Sequence, residues 1–120
     1  MKRKSLGNLG ENLALKYLQN KGYKFIDRNF RSKFGEIDLI LQDEDTLVFV
    51  EVKTRFGKSF GSPEEAITSK KINSLMKTSQ YFELLNPNFG EKMRIDLVAV
   101  DFVPATKKLL NLRHLENITL

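Results

Sequence analysis

Two apolar runs interrupted by carboxylates constrain this chain more than any other feature. Gly35-Glu36-Ile37-Asp38-Leu39-Ile40-Leu41 leads through a short acidic turn into Thr46-Leu47-Val48-Phe49-Val50-Glu51-Val52-Lys53-Thr54-Arg55. Runs so rich in aliphatic and β-branched residues, with a turn between them, predict two adjacent antiparallel strands. Asp38 and Glu51 lie inside them, and a carboxylate is costly to bury unless a cation or a donor pairs with it. Lys53, two residues past Glu51, supplies only part of that charge, so the pair reads as a two-stranded metal site.

Pairing sets the geometry. With a loop of Glu44-Asp45, or of the four residues Asp43 to Thr46, Asp38 faces Glu51 and Glu36 faces Lys53, all on one sheet face. Opposed side chains have Cβ atoms about 4.5–5.5 Å apart, close enough for two carboxylates to hold one ion, and without an ion they repel. Mg²⁺ takes oxygen ligands in an octahedron completed by water, and Asp38, Glu51 and the carbonyl of Val52 would supply a half-shell. An odd-length loop would send Glu51 to the opposite face. The turn lacks the Asn-Gly or Asp-Gly that would identify its register. The competing reading makes Glu51 and Lys53 the wet side of an edge strand, with Val50 and Val52 inside.

Around this hairpin the periodicities change. Leu6, Leu9, Leu13, Tyr17 and Leu18 recur at helical spacing, which predicts a helix from Ser5 to Asn20 ended near Gly22. Gly7 and Gly10 in its first turns mark close approach of another element or a ligand. Tyr23 to Arg31 reads as a strand with Phe25 and Ile26 toward the core and Lys24, Arg28 and Arg31 toward water. Arg55 to Gly61 reads as an exposed loop mixing bases, aromatics and glycines. Ser62-Pro63-Glu64-Glu65 is a helix-start pattern, with a second start at Thr68 left open. Ile67, Ile72, Leu75, Met76, Ser79 and Phe82 are the expected inward face of that helix. Asn86 to Gly90 breaks it, and strands follow over Met93 to Val103 and Leu109 to Leu115. Helix, three strands, helix, two strands predicts an α/β sandwich with a mixed sheet, in which the long helix makes a parallel crossover into the Met93 strand.

The 120 residues suit one domain, 1–120, with a substantial core. The longest apolar runs fall well short of the ~20 residues that span a bilayer, so no membrane is expected. The chain has no cysteine, which excludes disulfides and thiolate metal sites; with a basic start that leads into no apolar signal core, the expected compartment is cytoplasmic. His114, the sole histidine, reads as an incidental surface or packing residue, and Asp96 is expected to pair with Arg94 or a lysine.

Charge is unevenly placed. Residues 1–33 hold nine Lys and Arg against two Asp and Glu, residues 34–51 hold none against six, and residues 52–94 hold eight against four. Lys and Arg for a phosphate backbone and carboxylates for a divalent ion are what phosphodiester chemistry needs, although acidic turns and basic helix faces are also ordinary solvated surface. Arg55, Lys58, Lys70 and Lys71 are the candidate nucleic-acid contacts, with Phe56 and Phe60 as candidate stacking rings.

Gly-Glu-Ile-Asp-Leu-Ile followed by Phe-Val-Glu-Val-Lys-Thr-Arg resembles the core of the PD-(D/E)XK nucleases. With Glu11 on a preceding helix it is similar to the archaeal Holliday junction resolvases, and it looks most like the small bacterial YraN-like family. The likeness spans Gly7 to about Val100, with Ile37 where the superfamily pattern has proline. It implies a restriction-endonuclease-like three-layer sandwich in which Asp38 and Glu51 bind Mg²⁺ or Mn²⁺. Lys53 would orient the attacking water or steady charge on the phosphate. Glu11 would approach the same ion or a second one, or stay a solvent-facing helix carboxylate. Glu36 would stand behind Lys53 or be a partner in an ion pair. The implied activity is DNA endonucleolysis, with branched DNA as the substrate and a homodimer suited to two-fold junctions. The alternative is a noncatalytic nucleic-acid-binding module on the same fold; a third is a partner-binding scaffold in DNA maintenance or at the cell envelope.

Overall fold

A computed structural model describes residues 3–57, 67–90 and 92–119, with side chains from Asn8 onward. Helix α1 (Arg3–Asn20) is followed by strands β1 (Lys24–Ser32), β2 (Gly35–Asp43) and β3 (Thr46–Phe56). Helix α2 (Ser69–Leu85), a one-turn 3-10 helix (Pro87–Phe89), β4 (Lys92–Phe102) and β5 (Leu109–Leu115) complete the order. The five strands form one sheet in sequence order, antiparallel except for the parallel β3–β4 pair. The segment containing α2 makes that crossover, which leaves β4 inside the sheet.

Successive strand residues face opposite sides, so each strand feeds two cores. Val48 and Val50 join Leu39, Leu41, Val98, Val100 and Phe102 beneath Ala14 and Leu18 of α1. Leu47 and Phe49 join Ile37, Ile40 and Ile95 beneath Leu75 and Phe82 of α2. The fold is therefore α/β, with a helix on each face of a mixed sheet. Neither helix is long and apolar enough to cross a membrane.

Several local expectations change. Phe25 is exposed, because adjacent residues of a strand cannot both face one core and a bulge between Phe25 and Asp27 shifts the register on this edge strand. Met76 is exposed and Thr78 is buried in its place. Thr78 lies on the Leu75–Ser79–Phe82 stripe, and its hydroxyl hydrogen-bonds Ser32 Oγ at 3.0 Å. Phe56 ends β3 instead of entering a loop, and its ring stacks on Phe102 with centroids 5.6 Å apart. The N-cap of α2 is Thr68, whose hydroxyl accepts the Lys71 N–H at 3.1 Å. The start pattern at Ser62, together with Lys58 and Phe60, lies outside the described residues.

Candidate metal centre

The β2–β3 ladder runs from Asp43↔Thr46 to Leu39↔Val50, with Glu44-Asp45 as the loop and Glu44 at φ 55°. The loop thus has even length. Beyond Leu39 and Val50 the two strands part. β2 stays paired with β1 as far as Ser32↔Gly35, and β3 stays paired with β4 as far as Phe56↔Phe102. A fork of this kind strands backbone donors that a ladder would satisfy. Asp38 enters the gap, and its Oδ2 accepts the Val52 N–H at 2.7 Å.

This places Asp38 against Glu51. The Asp38 carboxyl is pushed up to about 8, first by burial and then by the hydrogen bond that its protonated form donates to the Glu51 carboxylate and by the Glu51 charge; Glu11 adds to the rise and the Val52 N–H opposes it. Two carboxyls this close hold a proton between them in the absence of a cation, and the proton belongs to the pair. Glu51 has a side chain only 12% exposed, and Lys71 Nζ of α2 lies 3.1 Å from its Oε2. That approach is an ion pair without hydrogen-bond geometry, so this buried oxygen has no hydrogen-bond partner among the described residues. A hard divalent cation suits such a set: two adjoining carboxyls that share a proton, one of them with a buried oxygen that no hydrogen bond satisfies.

The remaining expected residues fall at graded distances from the fork. Glu11 is brought down over the sheet by Gly10, where an added Cβ would collide with Thr54 Oγ1 of β3. Its Oε1 accepts from Arg28 Nε at 3.3 Å and from Asn29 Nδ2 at 3.1 Å, while its charge reaches Asp38. Lys53 is exposed on β3, with no hydrogen bond or ion pair to another described residue. Glu36 does not face Lys53, since β2 and β3 have separated there; among the described residues it pairs with Arg31 at 3.7 Å. Arg55 is not presented to solvent. It pairs with Asp101, its neighbour across the β3–β4 register, at 2.9 Å, with side chains 11% and 5% exposed. Lys70 is exposed in the first turn of α2, whereas Lys71 is the residue turned toward Glu51. That pairing joins positions 20 apart with no local periodicity, so only the seat of α2 reveals it.

A second cluster forms between β4 and β5. Asp96, fully buried, accepts from Arg94 Nε at 3.1 Å and from the Asn117 N–H at 2.9 Å, and His114 Nε2 lies 2.8 Å away. Arg94 also reaches Glu116 and the Tyr23 hydroxyl. Burial works to raise Asp96, but these donors outweigh it and hold the carboxyl below its usual range. Asp96, His114 and Glu116 converge as a metal set would. Here, however, the Arg94 guanidinium and Lys21, 3.0 Å from His114 Nδ1, already supply the cations. His114 is therefore a buried member of a charge-balanced network, not an incidental residue.

The model of the uncharacterised protein family UPF0102 matches residues 10–100, from the α1–β3 contact to β4. A UPF0102 protein of Alkaliphilus oremlandii is 43% identical over 117 residues, 95% of this chain and 97% of its own length. One from a Sulfurihydrogenibium species is 43% identical over 98% of this chain and 96% of its own. One from Syntrophomonas wolfei is 45% identical over 81% and 84%. With the match enclosing both strands of the fork and the relatives covering nearly the whole chain, the protein belongs to the UPF0102 family, the YraN-like group that its motif resembles.

Proposed function

We propose that this protein is a metal-dependent endonuclease that hydrolyses DNA phosphodiesters. The observation that carries the reading is the fork itself: Asp38, fixed by the Val52 N–H, meets Glu51, whose buried Oε2 lacks a hydrogen bond. Asp38 and Glu51 would hold Mg²⁺ or Mn²⁺ beside Val52. Such an ion supplies a lowered pKa for water and a counter-charge for the phosphate. Glu51, with its acceptor free on the same side as Lys71, would orient water on the scissile phosphate. Lys53, exposed and unspent, would steady the charge that develops there. Glu11 would hold Arg28 and Asn29 at the other edge of the fork, and Glu36 would tether Arg31. Lys70 and Lys71 on α2, together with Lys58, would follow the backbone of the DNA.

Branched DNA is the substrate suggested by likeness to the resolvases, and a homodimer would present two such sites to a two-fold junction. DNA as substrate puts the work in the cytoplasm. The test is cleavage of branched and linear DNA in Mg²⁺ or Mn²⁺ by the wild type, Asp38→Ala and Glu51→Ala. Cutting by the wild type alone is expected; cutting that survives both substitutions refutes the site. A noncatalytic binding module is favoured by one observation, the Lys71 ammonium beside Glu51, which gives that carboxylate a cation of its own. DNA binding without cutting under any divalent ion would select it.

A further inference from the structure

The β1–β2 turn and the adjacent face of α2 enclose a recess of ≈ 340 Å³ lined by Arg31, Ser32, Lys33, Phe34 and Tyr81. Its size is in the range of small-ligand sites, roughly 300–1,000 Å³. Phe34 and Tyr81 are each 40% exposed there. Lys33 Nζ and Lys77 Nζ stand 5.2 and 5.5 Å from the Phe34 ring centroid. Two aromatic planes alone would suit an apolar peptide. Ringed by Arg31, Lys33 and Lys77, with Glu36, 3.7 Å from Arg31, the one carboxylate among the described residues paired to any of them, they suit a planar group carried on a polyanion.

The walls are held in place. Ser32 and Thr78 hydrogen-bond through their hydroxyls, Ser74 Oγ donates to the Phe34 carbonyl, and Tyr81 packs against Phe30 with centroids 6.1 Å apart. The turn reaches α2 this closely because Gly35, at φ 151°, has no Cβ to collide with Ser74 Oγ. Lys71, Ser74, Thr78 and Tyr81 follow one another at spacings of three or four on one face of α2. The recess and the Glu51 carboxylate therefore share the α2 side of the sheet. Ten helical residues from Lys71 to Tyr81 span about 15 Å, and four strand residues from Phe34 to Asp38 span about 13 Å.

We infer that this recess receives one unpaired nucleotide of a DNA strand, its base against Phe34 and Tyr81 and its phosphates on Arg31, Lys33 and Lys77. At about 13 Å from Asp38 it would grip the strand roughly four nucleotides from the fork at duplex spacing. The inference deepens the proposed function by naming a strand with an unpaired base as substrate, and it rests on that reading for DNA but not for cleavage.

The experiment is titration of the full chain into single-stranded DNA carrying one 2-aminopurine, in EDTA so that cleavage plays no part. Stacking quenches the fluorophore, and Phe34→Ala and Tyr81→Ala are each expected to remove the quenching and weaken binding about tenfold, while Phe34→Tyr retains both. Lys33→Ala and Lys77→Ala should lower affinity and flatten its salt dependence with quenching preserved at saturation. Absence of quenching in the wild type, binding unchanged in both aromatic variants, or blunt duplex bound as tightly as single strand overturns the inference. Quenching without cutting under any divalent ion keeps the recess and removes the nuclease reading. Cutting without quenching does the reverse.

Discussion

The carboxylate of Asp38 accepts the backbone N–H of Val52 at 2.7 Å, so a side chain of β2 completes the hydrogen bonding of β3 where the two strands have separated. That bond holds Asp38 against Glu51 before any ion arrives, and it gives the fork a measurable electrostatic signature.

Stability of the metal-free protein should fall with rising pH. The Asp38–Glu51 pair holds its shared proton with the Asp38 carboxyl pushed up to about 8 from an ordinary 3.8. Folding therefore takes up a proton, so the contribution of this group is complete below about pH 4 and is lost as pH rises through about 8. Thermal unfolding in EDTA should lose several degrees between about pH 5 and pH 8.5. Asp38→Asn should flatten that dependence, and millimolar Mn²⁺ should restore the wild type at the alkaline end through linkage. A flat wild-type profile would mean the two carboxyls do not share a proton.

Lys71 and a divalent ion compete for Glu51. The lysine is 45% exposed, and half-exposed pairs are worth about 0.2–1 kcal/mol. Lys71→Ala should therefore tighten Mn²⁺ binding about two- to fivefold by calorimetry, while loosening DNA. Weaker Mn²⁺ binding in this variant would make the lysine a support of the site.

Arg55 should prove structural. Removing it leaves Asp101, 5% exposed, as an uncompensated charge, a loss of about 3–5 kcal/mol. Denaturant unfolding of Arg55→Ala should show that loss, whereas a variant with full stability and weakened DNA binding would return Arg55 to the phosphate backbone.

Gly10→Ala tests how α1 carries Glu11. The new methyl meets Thr54 Oγ1, and overpacking of this kind costs about 1–3 kcal/mol. Thr54→Ala in the same chain should recover part of it, since the hydroxyl is then gone. No recovery would show that the helix yields elsewhere.

Much of the fold was legible because local patterns agree with it. The β5 bounds, the break at Asn86-Pro87 and the parallel crossover all follow from periodicity and length, whereas the even hairpin loop was only the condition under which the carboxylates would meet, and the structure meets it. Phe25, Met76 and Phe56 were misplaced because periodicity alone does not say which strand lies at an edge, where a bulge falls, or where a strand outlasts its apolar run. Asp96 pairs with Arg94 as their spacing on one strand suggests, whereas His114, Tyr23 and Glu116 join that pair only through the tertiary fold.

The amino-acid sequence by itself determined that Asp38 and Glu51 belong to neighbouring antiparallel strands, because two apolar runs joined by a short acidic turn have no other economical arrangement, and that an even loop would bring the two carboxylates together. The two-residue loop itself, which puts Leu39, Leu41, Val48 and Val50 on one face, was decided by the structure. Tertiary structure alone decided that the register ends at Leu39 and Val50, because β1 holds β2 while β4 holds β3 and the strands are drawn apart. It also decided which cations reach the fork. Lys71 arrives on α2 and Arg55 is claimed by Asp101, and both outcomes depend on contacts between elements distant in the chain, where sequence spacing carries no information.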